Sequence, residues 1–173
     1  MTKLVVAKFG GSAIGIDGIS IPIIIDRIND LKRDSKVIAV FSAPLTSQNG
    51  KKCSLTDVIL EQGRNVENGT KASLDAVKSC YQKILELVNS ENKEDCQKII
   101  NLFLKKAENA LDEALGKKEF AEEIRSRSLA FSGEILMSHV MNYILRSNGV
   151  KTDAVSYDDW PIITDHNIES TNF

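Results

Sequence analysis

The chain has 173 residues, with 22 Lys+Arg against 24 Asp+Glu, so its formal net charge is −2. Hydrophobic residues make up 42% and charged residues 27%, a balance that excludes disordered, collagen-like and coiled-coil chains. The length suits one domain or a large part of a bigger one, and the near-neutral charge removes nucleic acid as a default partner, because phosphate binding needs a concentrated basic surface.

Leu4-Val5-Val6-Ala7 is a short continuous apolar run and reads as a strand buried on both faces. It is too short for a signal peptide, Lys8 closes it, and no run in the chain approaches the ~18–20 residues that cross a membrane. Lys8-Phe9-Gly10-Gly11-Ser12 reads as a turn or loop, followed by a helix from Pro22 to about Asp34 with Ile24, Ile28 and Leu31 on one stripe. Lys36 to Phe41 is a second buried strand, closed by Ser42-Ala43-Pro44, and strand–helix–strand within this span predicts a right-handed βαβ unit in a parallel sheet.

Pro44 to Ser54 is polar and turn-rich, and is expected to be a mobile loop. From there to Gly149 the chain reads as helical, divided at Asn68-Gly69, at Asn89 to Asn92 and at Gly116. Leu85, Val88, Ile99, Leu102, Phe103, Leu111 and Leu115 supply apolar faces. A last helix is predicted over Ser126–Asn148, stopped by Gly149, before a third strand from Val150 to Tyr157. Cys53, Cys80 and Cys96 are odd in number and far apart, which predicts reduced thiols in a cytoplasmic protein. Neither His139 nor His166 has a His or Cys at ligand spacing, so no protein-held metal is expected.

Three segments carry polar chemistry. A lysine at the carboxyl end of a strand followed by Gly10 and Gly11 suits phosphate oxygens, since glycine lets backbone N–H groups approach an anion and the ammonium adds charge. A plain strand-to-helix turn explains the same five residues. They are neither a Walker A loop, in which the lysine follows the glycines, nor a dinucleotide fingerprint. In Ser132-Gly133-Glu134, Glu134 stands at i−3 and i−7 from Met137 and Met141 on one helical face. A carboxylate there is either a ligand for a cation or a favourable charge in a first turn. Ser54-Leu55-Thr56-Asp57 is a loose capping box, and Thr164-Asp165 has the same status.

Taken in order, these segments resemble the aspartokinases of the amino-acid kinase superfamily. Lys8-Phe9-Gly10-Gly11-Ser12 looks like that family's Lys-Phe-Gly-Gly-Thr-Ser opening, Phe41-Ser42-Ala43 like the end of its second strand, and Thr56-Asp57 like its Thr-Asp pair. Ser132-Gly133-Glu134, with the helix and strand after it, looks like its Gly-Glu helix, and Thr164-Asp165 sits where the family has a similar pair. Ala13 departs from the family's second hydroxyl, and the long Pro44–Leu55 segment makes Thr46 a competitor of Thr56.

The resemblance implies an α/β fold: a three-layer α/β/α arrangement with a mainly parallel sheet, incomplete over 1–173. These residues would form the N-terminal amino-acid-binding lobe, without the Arg-Gly-Gly-Ser-Asp stretch, nucleotide-binding half and ACT domains found elsewhere in the family. It implies ATP-dependent phosphorylation of the L-aspartate side-chain carboxylate, the first step of Lys, Thr and Met biosynthesis, with ATP and Mg²⁺ used by the complete enzyme. Lys8 would be catalytic, Gly10, Gly11 and Ser12 would bind phosphate, and Ser42, Thr56 and Glu134 would bind substrate. L-aspartate and Mg-ATP are the expected partners, together with further copies of the chain in a homo-oligomer. Another amino-acid kinase and a non-catalytic binding or assembly module are the alternatives, and the lobe by itself is expected to be inactive.

Overall fold

The computed structural model describes residues 3–48 and 50–155. β1 (Lys3–Phe9) and β2 (Ser35–Phe41) run parallel, from Lys3 opposite Ser35 to Phe9 opposite Phe41. Between them lie the one-turn helix α1 (Gly11–Ile14) and the longer α2 (Ile21–Lys32), which together give the expected βαβ unit. Pro22 occupies the first turn of α2, where the N–H it lacks has no partner within the helix. Ile21, Ile24, Ile25 and Ile28 form its buried stripe, and Leu31 is half-buried at its edge.

The strands are buried on one face only. Phe9 and Phe41 stack on the inner face with ring centroids 5.4 Å apart. On the outer face Leu4, Val6, Ile38 and Val40 are 60%, 66%, 50% and 38% exposed. Successive side chains of a strand alternate sides, and among the described residues nothing covers the outer one. A continuous apolar run is therefore no proof that both faces are packed.

The segment expected to be a mobile loop is a hairpin. β3 (Leu45–Gln48) and β4 (Lys51–Ser54) pair antiparallel, with Leu45 opposite Ser54 and Thr46 opposite Cys53. Gly50 has φ +74°, and Asn-Gly is a strong short-range hairpin signal that outweighs polar composition. α3 (Leu55–Glu67) follows at once, and its start is the predicted capping box. The Asp57 N–H donates to Ser54 Oγ at 3.0 Å, and the Ser54 N–H donates to Asp57 Oδ2 at 3.4 Å.

α4 (Asp75–Leu85) and α5 (Ser90–Lys117) come next, the latter capped by Asn89 as expected. α5 passes through Gly116 and stops at Lys118, whose φ is +54°. Leu102 is 50% exposed because it lies on the solvent side of α5, whereas Ile100, Phe103 and Leu111 face the core. The single long helix expected over 126–148 is two helices, α6 (Glu122–Ser132) and α7 (Glu134–Ser147), broken at Gly133. Val150 is buried, but residues 150–155 are irregular rather than a strand. Tyr157, Thr164 and Asp165 lie outside the described residues.

One core joins the inner sheet face to α2, α3, α4, α5 and α7 through Phe41, Ile28, Ile59, Tyr81, Phe103 and Met137. A smaller cluster of Val66, Ala110, Ala114 and Ile124 ties α6 to α3 and α5. Among the described residues no helix is long and apolar enough to cross a membrane.

Candidate active site

Parallel strands deliver their carboxyl ends to the same side, so the in-register pairing of β1 and β2 brings Lys8 beside Val40 and Phe9 beside Phe41. The Ser42 N–H continues the ladder by donating to the Phe9 carbonyl at 3.0 Å. Lys8, Gly10 and Ser42 are thus placed at one end of the sheet by backbone pairing alone. Lys8 and Ser12 are exposed, and Gly10, Gly11 and Ser42 are partly covered.

The next residue, Ala43, gathers the remaining pieces. A methyl group on Gly11 would lie 2.6 Å from the Ala43 carbonyl oxygen, and one on Gly133 would lie 3.1 Å from the Ala43 Cβ and 2.8 Å from the Leu129 carbonyl oxygen. Only glycine permits both approaches. The Pro44 carbonyl accepts from the Leu55 N–H at 3.3 Å, which seats the start of α3 and with it Thr56. Ala43-Pro44 therefore joins three segments that are far apart in sequence: the diglycine, the Thr56 turn and the Gly133-Glu134 corner.

The two competing threonines are in different states. Thr46 is 3% exposed, and its hydroxyl donates to Asp17 Oδ1 at 2.9 Å. Asp17 also receives Lys83 Nζ at 2.6 Å, while its own N–H donates to the Leu45 carbonyl at 2.7 Å. Burial alone would raise the Asp17 carboxyl, but the hydrogen bonds from Lys83 and Thr46 outweigh it and hold it below its ordinary value. Cys80 Sγ reaches the same Leu45 carbonyl at 3.8 Å, and its thiol is pushed up to about 12, chiefly by burial. This cluster clamps the hairpin to the turn after α1. Thr56, the second residue of α3, is half-buried and makes no such contact among the described residues.

Glu134 takes the first-turn setting, one of the two that the sequence left open. Met137 and Met141 are fully buried, but Glu134 is exposed, because as the first residue of α7 it projects from the helix end. Its backbone is held firmly: the Gly133 carbonyl accepts from Met137 N–H at 2.8 Å and from the Tyr81 hydroxyl at 3.1 Å. Neither of two surface concavities, one lined by Lys71, Leu74 and Glu108 and the other by Lys106, Arg127 and Phe131, includes any of these residues. Among the described residues the candidate site lies at the end of the sheet, apart from both concavities.

The sequence marked Ala43 only as part of a strand end, and did not mark Asp17 or Tyr81. Two small residues closing a strand were the available signal for Ala43, and Asp17 beside Gly18 carried only a turn signal. Tyr81 had none, since an aromatic residue on a helical apolar face reads as core. Among the described residues no three His, Cys, Asp or Glu side chains converge in a way that could hold a metal ion.

No curated protein matches the chain. The model of the amino acid kinase family matches residues 3–172, from β1 through the diglycine, the hairpin and both helices that meet at Gly133. With nearly the whole length covered, the chain belongs to the amino acid kinase family, a membership that implies kinase or transferase chemistry in general terms.

Proposed function

We propose that this chain is the amino-acid-binding lobe of an aspartate kinase, transferring the γ-phosphoryl group of ATP to the side-chain carboxylate of L-aspartate. The observation that carries the reading is the meeting at Ala43 of the diglycine, the Thr56 turn and the Gly133-Glu134 corner. These are the segments in which the sequence resembles aspartokinases, and folding collects them at one end of the sheet.

Phosphoryl transfer needs positioning and charge neutralisation more than covalent help. Among the described residues nothing lies within 4 Å of where a Gly10 Cβ would be, so an anion has room against that backbone. Gly10, Gly11 and Ser12 would hold phosphoryl oxygens, and Lys8, exposed at the end of β1, would neutralise charge developing there. Mg²⁺ would arrive with the nucleotide as part of the substrate Mg-ATP, where it would supply charge neutralisation. Ser42 and Thr56 would offer hydroxyls to aspartate, and Glu134 would pair with its α-ammonium. Thr56 is preferred to Thr46 because the Thr46 hydroxyl is already committed to Asp17.

The test is a substrate panel on the full-length protein with Mg-ATP. L-aspartate should be phosphorylated in clear preference to L-glutamate, N-acetyl-L-glutamate and small phosphate acceptors. Preference for another acceptor would move the assignment elsewhere in the amino acid kinase family.

The outer sheet face, with Leu4, Val6, Ile38 and Val40 exposed, favours self-association and keeps an assembly module as the second reading. Sedimentation velocity on the parent and on a Val6→Lys/Ile38→Lys variant tests the association. A parent that stays monomeric would remove it. Failure to phosphorylate any acceptor, with association intact, would favour the module.

A further inference from the structure

Among the described residues Tyr81 is the largest fully buried side chain, yet it carries a polar group. It lies on α4, about fifty residues before the Gly133 corner, and its hydroxyl stands 3.1 Å from both the Ser132 and the Gly133 carbonyl oxygens. One hydroxyl has one proton, so the bond is shared between two successive carbonyls at the break between α6 and α7. The Ser132 hydroxyl takes no part, because it turns back to the Ser128 carbonyl at 2.6 Å.

The Gly133 carbonyl and the Glu134 N–H belong to the same planar peptide unit. Whatever holds that carbonyl sets the orientation from which the Glu134 side chain departs. Intrahelical bonding supplies one restraint, through Met137, and Tyr81 supplies another from a different element. Gly133 needs such a restraint more than other residues do, having no side chain of its own to pack.

We propose that Tyr81 is a positioning residue for Glu134: its buried hydroxyl fixes the Gly133–Glu134 peptide and so aims the carboxylate at the substrate ammonium. The proposal rests on the substrate role given to Glu134 above. Burial first, then Cys80 and the Glu134 carboxylate, push the Tyr81 phenol well above its ordinary value, so it stays a donor at every working pH.

The experiment compares Tyr81→Phe, Glu134→Gln and Val77→Ala in the full-length protein. Val77 is fully buried one turn earlier on α4 and does not contact the corner by hydrogen bonding. Tyr81→Phe should raise the aspartate KM about tenfold, equivalent to ~1.4 kcal/mol, with the Mg-ATP KM unchanged. It should also speed hydrogen exchange at the amides of residues 134–137. Val77→Ala should lower Tm but leave the ratio of the two KM values as in the parent, which separates positioning from general loosening of α4.

If Glu134→Gln raises the aspartate KM and Tyr81→Phe does not, the proposal is overturned and the substrate reading stands. If Glu134→Gln leaves the aspartate KM unchanged, the substrate reading fails and takes the proposal with it. Should Tyr81→Phe not fold, 3-fluorotyrosine incorporation keeps the hydroxyl in place. The ¹⁹F resonance of residue 81 should then move on adding aspartate and stay still with Mg-ATP alone; indifference to aspartate overturns the proposal.

Discussion

Gly10→Ala and Gly11→Ala add the same methyl group one residue apart, and they should fail in different ways. On Gly11 the methyl carbon would lie 2.6 Å from the Ala43 carbonyl oxygen and 3.6 Å from Leu45 Cδ2. The oxygen is backbone, so relief requires the end of β2 to retreat. Overpacking of this kind costs about 1–3 kcal/mol. At ~2–4 °C per kcal/mol for a chain of this size, Tm should fall by roughly 2–12 °C. Gly10 has φ −72° and ψ 166°, which any residue adopts, and among the described residues nothing lies within 4 Å of its would-be Cβ. Alanine there should be neutral or stabilising by about 0.4–1 kcal/mol, through the unfolded chain. The space it fills is, however, where a phosphoryl oxygen would approach. Gly10→Ala should therefore keep or raise Tm while kcat/KM drops about a hundredfold, the scale of an ångström-level misplacement of reacting groups. Thermal melts and an ADP-release assay on both variants give the comparison. A fully active Gly10→Ala protein would refute the phosphate cradle, and a parental Tm for Gly11→Ala would refute the close approach to Ala43.

Lys8→Ala should lower kcat by about two to three decades with little change in KM, as expected for charge met mainly in the transition state; steady-state kinetics check it, and a normal kcat would make Lys8 a surface residue. Glu134→Gln should weaken aspartate binding by at least about tenfold, and because Glu134 is exposed in a first turn its stability cost should stay near 0.3–1 kcal/mol. Thr46→Val keeps shape but removes a hydrogen bond to the Asp17 carboxylate, and should destabilise by about 1.5–3 kcal/mol in urea unfolding. The Asp17 carboxyl is lowered in the folded state, so its stabilisation is present at neutral pH and lost as pH falls below its ordinary value near 4. The stability gap between the parent and Asp17→Asn should accordingly narrow in acid, and a gap independent of pH would count against the clamp.

Local signals were enough for the βαβ unit, the capping box at Ser54 and the Asn89 cap, because each depends on neighbours within a few residues: apolar period, a short polar side chain, a glycine or proline. They also drew attention to the diglycine, the Thr56 turn and Glu134, whereas Ser42 came only from the resemblance to aspartokinases. They misjudged what depends on longer range or on weighing two local cues. The hairpin at Leu45–Ser54 was hidden by polar composition, and the break at Gly133 by an apolar period that continues across it. The open outer face of β1–β2 was hidden because a continuous apolar run looks the same whether one side or both are covered. That the candidate residues share a place at all was decided by tertiary structure. Parallel pairing sends Lys8 and Ser42 to the same edge, and Ala43 is small enough, facing two glycines, for three chain segments to meet. The same packing assigned Thr46 to Asp17 and left Thr56 half-buried at the start of α3, and it brought the Tyr81 hydroxyl beneath Gly133. No residue type or spacing encodes such contacts, since each is a distance between elements that only the packed core sets.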